Sequence, residues 1–263
     1  KVLGGDVKKV NYLLDMLSYR YQHPEKPKPH VAFYFYGEQG GAGKTTFAET
    51  LTKVFGEQAV KTTNTVSGLG GKGAVELWSR TWLIVEEAAI AKGTNLYDTI
   101  KSYTGANNVE TDAKYRAYQS HEIPAQLIML SNRPPLFLED QDRRFFVSRW
   151  HLNINGDQER TDYFKTYRSW LEEQGGYEAI AGLLKTREIK ADPYQPALVT
   201  PEKIRAFDIA VDPVVSELKD WLEDNQESRL FSRQFFDFFW NKYGVKRTVI
   251  KHKLLEAGLE YYG

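Results

Sequence analysis

Apolar and polar positions alternate along the chain in short buried runs separated by helical stretches, the pattern of an α/β protein built on a parallel sheet. Val10, Leu13, Leu14 and Leu17 recur at helical spacing, and Pro24, Pro27 and Pro29 then close that helix and lead extended chain into a first strand, Val31-Ala32-Phe33-Tyr34-Phe35-Tyr36. A second helix is carried by Phe47, Ala48, Leu51, Val54 and Phe55. The Thr- and Gly-rich stretch from Lys61 to Gly73 reads as a loop, followed by a short piece at Val75 to Trp78. Thr81 to Val85 and Ala125 to Leu130 predict further buried strands, with a helix from Asn95 to Tyr103 and a turn from Thr104 to Asn108 between them. Val109 to Tyr118 predicts a hairpin, and Phe145 to Val147 begins another strand.

The rest of the chain is helical in pattern. Tyr163, Tyr167, Trp170 and Leu171, then Tyr177, Ile180, Leu183 and Leu184, predict two amphipathic helices that brace or cover the core. Pro193, Pro196, Pro201 and Pro213 mark a linker, and three helices follow, at Val214 to Leu222, Phe231 to Trp240 and Lys246 to Leu255. The expected organisation is therefore a helical preface (1–28), a core (29–190), a Pro-rich linker (191–213) and a small helical unit (214–263).

Composition narrows the chemistry. The 263 residues hold 35 basic and 35 acidic side chains, so any nucleic-acid contact must come from local patches rather than overall charge. There is no cysteine, which excludes disulfides, zinc-thiolate sites and thiol nucleophiles; the five histidines lack ligand spacing. The chain starts at Lys1 rather than Met and has no signal-like or membrane-length apolar run. It is expected to be a piece of a longer protein that works in the cytoplasm of a bacterial host cell, or an equivalent compartment, without membrane contact.

Candidate chemistry sits where the apolar runs end. After the first strand comes Gly37-Glu38-Gln39-Gly40-Gly41-Ala42-Gly43-Lys44-Thr45-Thr46, a glycine-rich turn between strand and helix that suits a nucleotide triphosphate. Backbone N–H groups of Gly40 to Thr46 would cradle phosphate, with Lys44 on the charge and Thr45 on Mg²⁺. Five residues, not the usual four, separate Gly37 from Gly43, so the entry to the loop is expected to be one residue longer.

The strand at Thr81 to Val85 ends in Glu86-Glu87; in a parallel sheet these carboxylates would lie beside the loop, one for Mg²⁺ and one to polarise water. Read alone, they equally fit a solvated turn. Lys114 and Arg116 alternate with Tyr115 and Tyr118, a pattern that suits a single nucleic-acid strand, although packed rings with solvated cations fit as well. Asn132 follows the strand at Ala125 to Leu130 and could hold water or the γ-phosphate; Asn-x-Pro is also ordinary turn chemistry. Arg143 and Arg144 precede the next strand, either as arginines delivered to a neighbour's γ-phosphate or as partners of Asp140 or Asp142. Near the C-terminus Lys246, Arg247, Lys251 and Lys253 form an acid-free basic stretch, which fits the DNA-facing helix of a winged-helix unit or a solvated helix packed through Ile250, Leu254 and Leu255.

Taken in order, the loop at Lys44, Glu86-Glu87, Lys114/Arg116, Asn132 and Asp142-Arg143-Arg144-Phe145 resemble the superfamily 3 helicases, AAA+ ATPases of viral, phage and plasmid replication proteins. The phage primase–helicase type is the nearest flavour. The resemblance runs from Pro29 to Trp150. It implies an AAA+ P-loop core with a parallel sheet flanked by helices, ATP and Mg²⁺ as cofactors, and a hexameric ring acting on single-stranded and forked DNA. A primase or polymerase domain linked upstream is a further implied partner.

By the same resemblance Lys44 binds the β- and γ-phosphates and Thr45 the Mg²⁺. Glu86 and Glu87 form the acidic motif, with Glu87 the general base. Asn132 is the sensor, Arg143 the better match to the trans-acting finger ahead of Arg144, and Lys114 and Arg116 the central-channel hairpin. Two rivals remain at this stage. One is a nucleotide-switched DNA-binding initiator or scaffold. The other is a partition-type ATPase, whose P-loop carries a lysine where Gln39 stands.

Overall fold

In a computed structural model, the chain is described over residues 2–37, 40–70, 74–88, 90, 95–111, 119–139, 142–154, 156–211, 233–244, 246 and 249–250. It divides into two compact units: Lys1–Phe137 with Gln141–Lys203, and Leu138–Asp140 with Ile204–Gly263.

The first unit is built on a five-stranded parallel sheet of β1 (Ala32–Tyr36), β2 (Val60–Thr63), β3 (Trp82–Val85), β6 (Gln126–Ser131) and β7 (Phe145–Arg149), in the order β2-β3-β6-β1-β7. Strands β3, β6 and the first four residues of β1 are buried throughout, because helices cover both faces of the sheet. Phe33, Phe35, Trp82, Ile84, Ile128 and Phe146 fill one face, with Phe33 and Phe146 meeting edge to face at 5.6 Å between centroids. A separate two-stranded antiparallel sheet, β4 (Asn108–Thr111) with β5 (Gln119–Glu122), is the expected hairpin; its intervening residues, Lys114 and Arg116 among them, lie outside the described residues.

Around the sheet lie α1 (Val7–Gln22), α2 (Lys44–Phe55), α3 (Ala74–Leu77), α4 (Asn95–Gly105), α5 (Asp157–Glu173) and α6 (Gly176–Thr186). Helix α1 starts at Asp6, whose carboxylate accepts from the N–H groups of Lys8 and Lys9, and it buries Leu13, Met16 and Leu17. Helix α6 packs on α1, α2 and α5. Buried Asp15 of α1 holds the chain after α6, accepting from Arg187 Nε at 2.7 Å and from the N–H groups of Lys190 and Ala191.

Two stretches differ from the sequence-based expectation. Val60–Thr63 lies within and just ahead of the expected loop, yet it forms the edge strand β2. Only Val60 is buried there, so apolar alternation is weak and pairing with β3 decides the conformation. In the Pro-rich stretch, Pro201–Val211 is a helix, α7. Thr200 Oγ1 accepts from Lys203 N at 3.2 Å, and Pro201 takes the first helical position, where its missing N–H costs nothing. In the second unit α8 (Arg233–Tyr243) ends at Gly244, whose φ is 64°. No helix among the described residues is long and apolar enough to cross a membrane.

The buried cations of the first unit carry a pH signature. Lys28 is 2% exposed with no carboxylate beside it, and burial together with nearby Arg20 pushes its ammonium down to about 7. Above that value the folded chain releases a proton that the unfolded chain keeps, so stability should rise with pH. Urea midpoints measured from about pH 7 to about pH 9.5 should climb for the native chain relative to Lys28→Met, which removes the titrating group.

Candidate functional site

All five strands run in one direction, so their carboxyl ends share one edge, and the insertion of β6 between β1 and β3 decides what meets there. Tyr36 pairs with Ser131, and Val85 with Met129. The residues that follow these strand ends, the glycine-rich loop, Asn132 and Glu86-Glu87, are therefore neighbours. They line a cleft of about 1080 Å³ together with the pocket face of α5.

Lys44 stands at the start of α2, and its Nζ donates to the Gly37 carbonyl at 2.6 Å and to Asn132 Oδ1 at 2.7 Å. Partial burial lowers its pKa below the ordinary lysine value. Thr45 is exposed at the helix N-terminus, where the unsatisfied N–H groups and the helix dipole favour an anion. Gly43 caps the helix at φ 89°, and a Cβ there would also sit 2.7 Å from the Phe164 ring of α5.

Gly37 follows β1 directly, and its N–H bonds the Ser131 carbonyl at 3.2 Å. A Cβ on it would lie 2.0 Å from the Trp150 carbonyl oxygen, so only glycine lets the chain beyond β7 close on the end of β1. Trp150 then donates from its N–H to the Tyr36 carbonyl at 2.6 Å and from Nε1 to the Ala42 carbonyl at 2.8 Å, pinning the loop from beneath. The first glycine of the sequence motif is thus a close-approach glycine at the strand end. Glu38 and Gln39 lie outside the described residues.

The acidic turn is held from both sides. Glu86 N–H bonds to the Thr63 carbonyl and Ala88 N–H to the Leu130 carbonyl, so the chain steps from the β2 side to the β6 side at Glu87. Glu87 does so with φ 55°, a conformation that costs a residue with a side chain about 1–3 kcal/mol. Ser131 Oγ donates to the Ala88 carbonyl at 2.7 Å and accepts from Arg133 N, fixing the acidic turn and the turn at Asn132 against each other. Burial, then the charges of Glu49 and Glu87, raise the Glu86 carboxyl above its ordinary value. Glu49 stands one turn beyond Thr45 on α2.

Sequence reasoning gave α5 no chemistry. Its face forms a wall of the cleft and brings to it the cations Arg160, Lys165 and Arg168 together with the acids Asp157, Glu172 and Glu173. Arg160 pairs with Asp157, while no ion pair joins Lys165 or Arg168 to an acid among the described residues. Amphipathic spacing identifies the buried side of such a helix; which strand tips its polar side overlooks is a tertiary fact.

Arg143 and Arg144 sit at the opposite edge of the sheet, just ahead of β7, where Phe145 pairs with Ala32. Five residues of β1 separate them from the loop, about 15 Å at strand rise. Asp142 does not pair with either. Its carboxylate accepts from the N–H groups of Arg144 and Phe145 and from Tyr97 Oη, and forms a 3.2 Å ion pair with Lys203 Nζ. Arg143 is exposed, and Arg144 lies over Gly105 at the end of α4. Asp140 lies outside the described residues, as do Arg247, Lys251 and Lys253; Lys246 is exposed in the second unit.

A family model described as a family of unknown function (DUF5906) matches residues 35–144, which carry the loop, the acidic turn, the hairpin and Asn132. No curated protein matches. Among solved structures, two A-form apo structures of the NrS-1 C-terminal region superpose over 97% of this chain, with TM-scores of 0.62 and 0.63 at 18% and 19% identity. Another apo structure of that region gives 0.60 at 17% identity. The fold is shared, and this chain spans 59–60% of the length of those structures.

The packing at Gly37 is testable by stability alone. Gly37→Ala should lower the unfolding free energy by at least about 2 kcal/mol in urea titrations, whereas Gly40→Ala, which meets no atom within 4 Å, should change it by less than about 0.5 kcal/mol.

Proposed function

We propose that the chain is the motor of an ATP-dependent DNA helicase, moving on single-stranded DNA as a homo-oligomeric ring during replication of a phage or other mobile element. A covalently linked primase or polymerase module is the upstream partner this reading expects. The single observation that carries it is the meeting of Lys44, Asn132 and Glu86-Glu87 at one sheet edge, with Lys44 Nζ 2.7 Å from Asn132 Oδ1.

A triphosphate suits this edge. Lys44 would take the β- and γ-phosphates, the N–H groups of Gly40 to Thr46 would cradle them, and Asn132 would hold a γ-oxygen or the attacking water without adding charge. Glu87 is the general base of this reading and Glu86 its metal-side carboxylate. Mg²⁺ fits because it binds through one or two protein oxygens plus substrate phosphates, and the Thr45 hydroxyl with the Glu86 carboxylate supplies that number. No cluster of three or more acids or histidines that would cage a metal alone exists among the described residues. When bound, Mg²⁺ would neutralise charge developing on the phosphates.

Arg143 supports a multi-subunit site. It stands about 15 Å from its own loop by strand rise, so it serves a neighbour's phosphate more readily than its own chain's. In this reading hydrolysis moves the Lys114/Arg116 hairpin, which draws DNA through the ring.

Lys44→Ala and Arg143→Ala should each lower DNA-stimulated hydrolysis by about 10³-fold. An equimolar mixture of the two variants should recover part of the activity, since one subunit keeps an intact loop and the other an intact arginine. Wild-type turnover in the Arg143 variant would remove the finger from the account. Ring assembly and DNA binding without displacement of a strand from a fork would favour a scaffold over a helicase.

A further inference from the structure

The two-stranded sheet β4–β5 shares no ladder with the main sheet, and a lone two-stranded ribbon has little stability and no fixed direction of its own. Among the described residues, contacts at its base hold it to the core, and several of them come from one short stretch of the N-terminal region.

Lys28 Nζ donates to the Tyr103 carbonyl at 2.7 Å, in the last turn of α4 where the chain approaches β4, and to the Ile123 carbonyl at 2.6 Å, where it leaves β5. Arg20 Nη2 donates to the Pro124 carbonyl at 3.0 Å, and its Nη1 returns to Lys26. The two legs are closed on each other by the Ile123 N–H to the Asn107 carbonyl at 2.8 Å. The Lys28 ammonium also lies 5.4 Å from the Trp78 ring centroid, and Trp78 in turn accepts from Ala125 N–H at its carbonyl. Lys28 and Arg20 are each 2% exposed, and neither has a carboxylate partner among the described residues.

Lys28 and Arg20 are buried without acids among the described residues, and the carbonyl oxygens of Tyr103, Ile123 and Pro124 serve as their partners instead. An apolar side chain at either position would leave carbonyls at the base of the ribbon without donors. What these residues supply is reach: two side chains of one segment grip the entry and the exit of the ribbon together.

We propose that Lys28 and Arg20 are positioning residues that mount the β4–β5 ribbon, holding its entry and exit on the core so that DNA engaged through the ribbon is coupled to turnover. This rests on the reading of Lys114 and Arg116 as the DNA contacts. A mount differs from a contact in kinetics. Removing a DNA contact raises the DNA concentration needed for half-stimulation, whereas loosening the mount leaves that concentration nearly unchanged and lowers the stimulated turnover.

The experiment uses the whole chain and four proteins: native, Lys28→Met, Arg20→Gln, and the Lys114→Ala/Arg116→Ala pair. ATP turnover is measured without DNA and over a range of single-stranded oligonucleotide. Lys28→Met and Arg20→Gln should keep basal turnover within about twofold and lose about tenfold in stimulated turnover, with half-stimulating DNA changed by less than about threefold. The Lys114/Arg116 pair should instead raise half-stimulating DNA by about tenfold or more. If Lys28→Met fails to fold, Arg20→Gln, which leaves the α4 contact intact, decides the matter.

Equal loss of basal and stimulated turnover in the mount variants would make these residues structural supports only and overturn the proposal. So would native stimulation in both mount variants beside an impaired Lys114/Arg116 pair. Native behaviour of the Lys114/Arg116 pair would overturn the reading of the ribbon as the DNA element, a failure distinct from that of the mount.

Discussion

The position of Lys44 Nζ, 2.6 Å from the Gly37 carbonyl and 2.7 Å from Asn132 Oδ1, is the contact on which the rest of the candidate site depends. It exists because β6 runs between β1 and β3: had β3 paired directly with β1, Asn132 would not separate the loop from the acidic turn. Parallel pairing then fixes the height of each group, since Tyr36 is level with Ser131 and Val85 with Met129. The same register sends Arg143 and Arg144 to the other edge, so one topology brings the loop, Asn132 and the acidic turn together and keeps the two arginines apart from them.

Around that contact the packing is aromatic and tight. Trp150, just past β7, touches the rings of Phe35 and Phe47 and bonds the Tyr36 and Ala42 carbonyls, so one residue ties together β1, the loop and α2. Phe164 closes on Gly43 from above. A loop held between these two side chains is preorganised, which would lower the entropy lost on binding any ligand there. Among the described residues with a side chain, Glu87 alone has a left-handed backbone, held by the Thr63 and Leu130 carbonyls on either side.

How much of this the sequence discloses follows from the range of each interaction. The buried strands, the loop and the acidic turn are local patterns: β3 ends at Val85 as its apolar run does, and β6 runs one residue past its apolar run, to Ser131. The edge strand at Val60–Thr63 was not legible because its stability comes from β3 rather than from its own alternation. The pairing of Asp142 with Lys203 spans 61 positions, and the strap of Asp15 on Arg187 spans 172; neither leaves a short-range signal. Helix α5 has the amphipathic spacing of a brace, and only the three-dimensional arrangement turns its polar face into a charged wall of the cleft. The helix at Pro201 did carry a local sign, Thr before Pro, which the density of prolines obscured.

The central claim is that this sheet edge is a site for a magnesium-bound triphosphate. Titration calorimetry of the whole chain with a non-hydrolysable ATP analogue, with and without Mg²⁺, and with AMP for comparison, tests it without relying on turnover. The account predicts binding of the analogue that strengthens with Mg²⁺ and an affinity for AMP lower by at least about 100-fold, because the protein groups at this edge address phosphates. Equal affinity for the two nucleotides, or no binding of either, would contradict it.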